Sequence, residues 1–328
     1  MKTILVTGSL AFDHIMDFPE TFEENILPDK LHTLSVSFLV RNFGRNFGGV
    51  AGNIAFNLGL LEERAAILAS AGDNDFAPYN DHLCNVAVVT QYVNRVRNEF
   101  SANFFVITDS NNCQIAGFYA GAMVQDTALS IHQCDPCLLD FLLVSPTMPD
   151  AMDAFVREAK QSGIPYLYSP AQQIPRLSPE QLRYGVDGAE ILIGNDYELS
   201  ILMKKAGLSK RDLLRQAKIV VTTLGADGST IEVGDEAICV GVVPPAEIVD
   251  PTGAGDAYIA GFLRGYLRHD DLRVCGQLGA TAASYALEKY GTQNHAYTLQ
   301  DFASRYTQAF EPGIRRAVGP GARRAKTG

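Results

Sequence analysis

The stretch Asp250-Pro251-Thr252-Gly253-Ala254-Gly255-Asp256 closes an extended apolar run and leads directly into a helix-like segment beginning Ala257-Tyr258-Ile259-Ala260. Small residues let the backbone N–H groups of Gly253, Ala254 and Gly255 crowd round an anion. The positive end of the following helix dipole favours a phosphate or a developing phosphoryl charge at that turn. Asp256 is ill suited to be a phosphate ligand, since like charges repel. Beside such a turn it suits the role of general base, aimed at a hydroxyl about to attack phosphorus.

Four further groupings could supply a substrate. Gly48-Gly49-Val50-Ala51-Gly52-Asn53 precedes a helical stretch at 54–61. A ligand can approach the backbone at Gly49, and the Asn53 amide can bond hydroxyls as donor and acceptor, although glycine-rich loops often only turn. Asp13 lies beyond the first strand, after Gly8-Ser9-Leu10-Ala11-Phe12, where ligands gather in parallel sheets; it reads as a partner for a vicinal diol or as a turn residue. Asn195 and Glu198 follow a strand three residues apart, a spacing that fits either a hydrated magnesium ion beside phosphates or a reciprocal helix cap. Thr222-Thr223-Leu224-Gly225-Ala226-Asp227-Gly228 follows another strand. Its hydroxyls and glycine N–H groups suit nucleotide phosphates or any tight turn.

Several chemistries are excluded or disfavoured. No Gly-x-x-x-x-Gly-Lys-Ser/Thr run occurs, and no Gly-x-Gly-x-x-Gly follows the first strand. The 6 histidines lack metal-ligand spacing, and the 6 cysteines are expected as reduced thiols packed in apolar surroundings, Cys134 and Cys137 included. A net charge of −10 leaves no basic stripe for nucleic acid. No apolar run is long enough to span a membrane, and the first residues read as a buried strand, not a signal-peptide core, so the cytoplasm is the expected compartment.

With 47% hydrophobic residues in 328, the chain can bury one large core. Apolar runs at 139–144, 164–168, 190–194 and 219–223 alternate with helical patterns at 150–162 and 180–189, and longer helices are expected at 256–268 and 272–289. That rhythm predicts an α/β fold with a doubly wound, mostly parallel sheet and helices on both faces. Residues 1–8 form its first strand. Segments 13–40 and 101–119 instead alternate in short pieces, as in a small antiparallel sheet. The near-duplication of Arg-Asn-Phe-Gly across 41–48 carries no architecture in this reading. The expected division is a large α/β domain at 1–12, 49–100 and 120–312, a β lid at 13–48 and 101–119, and a disordered basic tail at 313–328. A lid over the cleft would exclude water from the reaction.

In order and spacing, the Gly-Gly…Asn group near residue 50, Asn195-x-x-Glu198, Thr223-x-Gly225-x-x-Gly228 and the 250–256 turn resemble the ribokinase (PfkB) family from about Met1 to about Phe310. The resemblance implies an ATP-dependent kinase with a ribokinase-like fold, a β lid, magnesium and, often, activation by potassium, for which Asp250 and Thr252 are the nearest matching positions. Within the family the chain looks most like bacterial adenosine kinases of the mycobacterial type, through Thr7-Gly8-Ser9, residues 34–40, Gly117 to Met123, Ser169 to Gln173 and Gly291-Thr292-Gln293. By that similarity Asp13, Gly49 and Asn53 hold ribose hydroxyls, and Ser9, Ser37, Gln172 and Gln173 lie near the nucleoside. Phe104 and Phe118 stack on the purine or simply pack the lid. Asn195, Thr223, Gly225 and Gly228 contact the nucleotide, and Glu198 reaches magnesium indirectly. The implied reaction is phosphorylation of the adenosine 5′-hydroxyl, with a homodimer as the expected assembly.

Ala171, Tyr258 and the segment 74–97 depart from the family pattern. The rival readings are a kinase for inosine, guanosine, cytidine or a free sugar, and a catalytically silent nucleoside-binding module. Asp256 beside an anion turn argues against the silent module, because a pure binder needs no base there.

Overall fold

The computed structural model describes residues 2–111 and 113–310. Its first strands are β1 (Thr3–Thr7), β2 (Ala11–Asp17), β3 (Asn42–Gly48), β4 (Arg64–Leu68), β5 (Ser70–Gly72), β6 (Asn94–Val96), β7 (Ala102–Thr108) and β8 (Gln114–Tyr119). They are followed by β9 (Phe141–Val144), β10 (Tyr166–Tyr168), β11 (Ile191–Asn195), β12 (Ile219–Thr223), β13 (Ser229–Val233) and β14 (Glu236–Val240). The helices are α1 (Phe22–Asn25), α2 (Val50–Leu60), α3 (Phe76–Asn85), α4 (Pro149–Ser162), α5 (Pro179–Val186), α6 (Asp196–Ala206), α7 (Lys210–Gln216), α8 (Ala254–Leu267), α9 (Leu272–Ala286) and α10 (Leu299–Phe310).

The large sheet has the order β14-β13-β12-β11-β10-β9-β1-β4. Pairing is parallel from β4 to β12 and antiparallel only at the β12-β13-β14 edge. Successive side chains of a strand point to opposite faces, which explains why β1 is buried throughout and apolar at its three central residues, Ile4, Leu5 and Val6. Ile4 and Val6 join a core with Ile54 of α2, Phe262 of α8 and Ala282 of α9, while Leu5 joins a second core with Phe155 of α4, Leu182 of α5 and Leu199 of α6. Helices thus cover both faces, the doubly wound arrangement expected from the sequence rhythm.

The small sheet, in the order β3-β2-β7-β8, is mixed where an antiparallel one was expected. Its outer pairs are antiparallel, but β2 and β7 run parallel in register, Asp13 beside Phe104. The physical reason is that the chain leaves the large sheet twice, and each excursion begins with an outgoing strand. Strand character was also expected across 13–40, yet it stops at Asp17. The chain then runs through α1 and a 3-10 segment, Pro28–Thr33, into residues without regular structure, among them the exposed Ser37. Conversely, the Arg-Asn-Phe-Gly duplication does carry architecture, because it forms β3.

Of the cysteines, Cys134 and Cys275 are buried, but Cys84, Cys113, Cys137 and Cys239 are exposed, which corrects the expectation that all are packed; none is in a disulfide. Among the described residues no helix is long and apolar enough to cross a membrane, and no group of three or more His, Cys, Asp or Glu side chains could cage a metal ion. The expected tail at 313–328 lies outside the described residues.

Candidate active site

At the carboxyl edge of the large sheet, the 250–256 turn opens α8. Gly253 is the N-cap at φ +81°, and no side chain caps the helix. A larger residue there would be strained in backbone and would approach Thr292 within 2.9 Å. Gly255 therefore presents a first-turn N–H group at the cleft, and the Ala254 N–H beside it is held only by a long 3.4 Å turn bond to Pro251 O, the arrangement that receives anions. Asp250 stands behind the turn, each carboxylate oxygen accepting a backbone N–H at 2.9 Å, one from Thr252 and one from Gly291.

Asp256 lies in the first turn of α8. Helix α2 packs beside it, so that Asn53 Nδ2 donates to Asp256 Oδ2 at 2.8 Å. Burial raises the Asp256 carboxyl to about 7; the Asn53 bond opposes the rise, and the negative charges of Glu198 and Asp13 add to it. A carboxylate near neutrality that faces a cleft is tuned for proton transfer. Burial first, then Asp250, lifts Asp13 to about 6.

The glycine turn before α2 fits closely. Gly49 is at φ +84°, and a Cβ there would stand 2.6 Å from the backbone N of Ala11 and O of Ser9. A methyl group on Gly48 would run into the Asp13 carboxylate. Ser9 is occupied with the same turn, since its Oγ accepts from Val50 N at 3.1 Å. Asn53 Oδ1 is likewise engaged, by Thr292 Oγ1 at 2.7 Å and Gln293 Nε2 at 2.9 Å, leaving one Nδ2 hydrogen for a ligand.

Cross-strand register collects the lid residues. Asn46, Asp13, Phe104 and Phe118 are direct partners across β3, β2, β7 and β8, so they share one face of the small sheet. Phe104 is half-buried and Phe118 exposed. Ser37 is exposed on the segment between β2 and β3, without a contact that ties it to this row.

Two cavities border the first turn of α8. One of about 190 Å³ is lined by Gln172, Asn195, Glu198, Thr223, Gly255 and Asp256. The other, about 420 Å³, is mainly apolar and is bounded by Thr223, Gly225, Gly228, Val243, Tyr258 and Leu287. Thr223 and Gly255 border both, so the apolar chamber and the cavity at the carboxylate are neighbours. Asn195 caps α6 reciprocally: Glu198 N donates to Asn195 Oδ1 at 2.8 Å, and Asn195 N to Glu198 Oε2 at 2.9 Å. Both residues still line the cavity, so the capping reading holds without closing the other one. Gln173 is buried behind Gln172, with its Oε1 unpartnered in the structure.

Sequence reasoning named the polar residues and glycines around Asp256 but missed the apolar wall of the larger cavity and the support behind Asn53. Tyr79 comes from the segment that matched the family pattern poorly, and no spacing announced it. Thr292 and Gln293 were noted only as a local resemblance. The tight Gly291, at φ +83°, was the available sign that their backbone is held in a fixed turn.

A family model for pfkB family carbohydrate kinases matches residues 4–299. A nucleoside kinase of Methanothermobacter thermautotrophicus is 30% identical over 320 residues, spanning 95% of this chain and 99% of that relative. The Burkholderia thailandensis nucleoside kinase in complex with inosine superposes with a TM-score of 0.85 at 30% identity, covering 94% of this chain and 98% of that one. The same enzyme in its ADP-inosine complex gives 0.83 at 32% identity, with 94% and 96% covered. The fold is ribokinase-like, and with nine-tenths of its length matched and the anion turn, glycine turn and mixed lid sheet in place, the chain belongs to the pfkB family of carbohydrate kinases.

Proposed function

We propose that this protein transfers the γ-phosphoryl group of ATP to the 5′-hydroxyl of a purine nucleoside, with adenosine and inosine as the leading substrates. The observation that carries the reading is the shared lid face: a diol-binding carboxylate, Asp13, stands in one cross-strand row with two aromatic side chains, Phe104 and Phe118. A free pentose offers nothing for aromatic planes to cover, whereas a nucleoside offers a sugar diol and a flat base. The relative bound to inosine supports this choice over free ribose, and it favours a nucleoside kinase that is not restricted to adenosine.

In this mechanism Asp13, the Gly49 backbone and the remaining Asn53 N–H hold the ribose hydroxyls. Gln172, Gln173, Ser9 and Ser37 border the nucleoside once the lid, built on 13–48 and 101–119, closes over the body. The apolar chamber takes the ATP base, and Thr223, Gly225, Gly228 and Asn195 follow its phosphates. Asp256 accepts the 5′ proton as that oxygen attacks phosphorus, while the N–H groups of Gly253, Ala254 and Gly255 face the charge on the transferring group.

A magnesium ion fits the donor set, because such ions are commonly held through a carboxylate and substrate phosphates instead of an all-protein cage. Glu198 and Asn195 would hold its water shell, and the ion would supply charge neutralisation on the phosphates. Each Asp250 oxygen accepts a single backbone N–H and keeps a further lone pair, so Asp250, with Thr252 beside it, stays open to a potassium ion, which would supply positive charge behind the anion turn.

Steady-state kinetics with ATP and a panel of adenosine, inosine, guanosine, cytidine and ribose test the reading. Purine nucleosides are expected to give the highest kcat/KM. A preference for free ribose would overturn it, and nucleoside binding without ADP release would establish the silent module instead.

A further inference from the structure

We propose that Gln293 is a positioning residue for the base: it fixes the Asn53 amide so that an Asn53 N–H stays on Asp256. The inference rests on Asp256 being the base of the reaction proposed above. A hydrogen count carries it. Gln293 Nε2 has two hydrogens; one reaches Asn53 Oδ1 at 2.9 Å and the other Tyr79 Oη at 2.6 Å. Tyr79 spends its own hydrogen on Gly48 O at 2.7 Å. Its hydroxyl must therefore accept from Gln293, which sets the orientation of that amide.

Thr292 is the less constant partner of Asn53. Its Oγ1 stands 2.7 Å from Asn53 Oδ1 and 2.8 Å from Phe47 O, with one hydrogen to share between them. Gln293 is the donor that can serve Asn53 permanently. With Oδ1 so held, only Nδ2 can face Asp256; a flipped amide would set a carbonyl against the carboxylate and lose both donors.

The chain Gly48, Tyr79, Gln293, Asn53, Asp256 is shielded from water, with Tyr79 at 0%, Gln293 at 3% and Asn53 at 5% exposure. It joins the last residue of lid strand β3 to the carboxylate at the start of α8. Gly52 makes the path possible, since a side chain there would collide with the Tyr79 hydroxyl. The ionisable groups around the path are Glu198 of α6 and Asp13 of β2, whose charges act on Asp256, and Tyr79 and His82 of α3 beside Gln293.

The test compares Gln293→Met with wild type in the full chain. Loss of the fixed N–H on Asp256 is expected to lower kcat about 10-fold at neutral pH, with nucleoside KM changed by less than about 3-fold. The acid limb of the kcat profile is expected to move to higher pH by up to about one unit. In an Asn53→Ala background the same substitution should cost nothing further, because Gln293 acts through Asn53. Should Gln293→Met not fold, Tyr79→Phe keeps the shape and removes one anchor, with an expected fall of about 2–10-fold and the same direction on the pH profile. A wild-type kcat and profile, or a full additional loss on top of Asn53→Ala, overturns the proposal. Asp256→Asn is run alongside: if that variant keeps its turnover, the base assignment itself has failed, whereas an inactive Asp256→Asn with an unaffected Gln293→Met refutes the positioning role alone.

Discussion

In the proposed mechanism Asp256 is the residue on which turnover depends most steeply. Asp256→Asn keeps the shape of the site and can still face Asn53, but it cannot take the 5′ proton. The expected loss in kcat is about 10²–10⁴-fold, with nucleoside affinity by calorimetry changed only a few-fold. The pH dependence follows from the same group. With the Asp256 carboxyl raised to about 7, the free enzyme is expected to gain kcat/KM as pH rises through that value, since the protonated form cannot act as a base. A profile flat from pH 5 to 8 would contradict it. Stability runs the other way. Asp256 and Asp13 have folded values of about 7 and about 6, above the ordinary 3.8, so the folded chain holds more protons than the unfolded one between about pH 4 and 7. These groups therefore make the unliganded protein less stable as pH rises across that window. Asp256→Asn is expected to melt higher than wild type at pH 8 and to lose that advantage near pH 4, as read by calorimetry; an unchanged difference between the two pH values would count against the buried-carboxylate picture.

Elements differ in how much of them the sequence disclosed, and the difference is physical. β1, β9, β11 and β12 are buried on both faces, so continuous apolar runs marked them within a residue or two of their observed bounds. The turns at 48–53, 195–198 and 250–256 were visible because backbone geometry and phosphate chemistry both restrict the residues allowed there. The lid was legible as β structure from its alternation, but the parallel meeting of β2 and β7 depends on which strands become neighbours, and nothing local encodes that. β3 was hidden because its Asn-Phe-Gly pieces lack β-branched residues and one of its faces is largely open. Gly49 allows a test at this scale. Gly49→Ala forces a side chain into a conformation at φ +84° and against the backbone of Ser9 and Ala11, so a loss of about 1–3 kcal/mol or more is expected from denaturant unfolding. A wild-type midpoint would show that the turn is not held as tightly as its geometry implies.

For the molecule as a whole, the two-part architecture leaves the lid edges β3 and β8 unpaired, with Phe43 63% and Phe118 45% exposed. Edge strands of this kind invite pairing with a second copy. Light scattering at micromolar concentration is accordingly expected to give twice the 35.6 kDa chain mass, and a monomer would refute that assembly. What no spacing in the sequence could disclose was the buried path from Gly48 through Tyr79 and Gln293 to Asp256, because its members come from β3, α2, α3, α8 and the 291–293 turn and meet only in the folded chain. The phosphoryl transfer itself is most directly examined by ³¹P NMR of one mixture of chain, ATP, magnesium and inosine, repeated with Asp256→Asn. ADP together with a nucleoside 5′-monophosphate is expected from the wild-type chain and neither from the variant; ADP with free phosphate alone, or equal product from both chains, would contradict nucleoside phosphorylation by an Asp256 base.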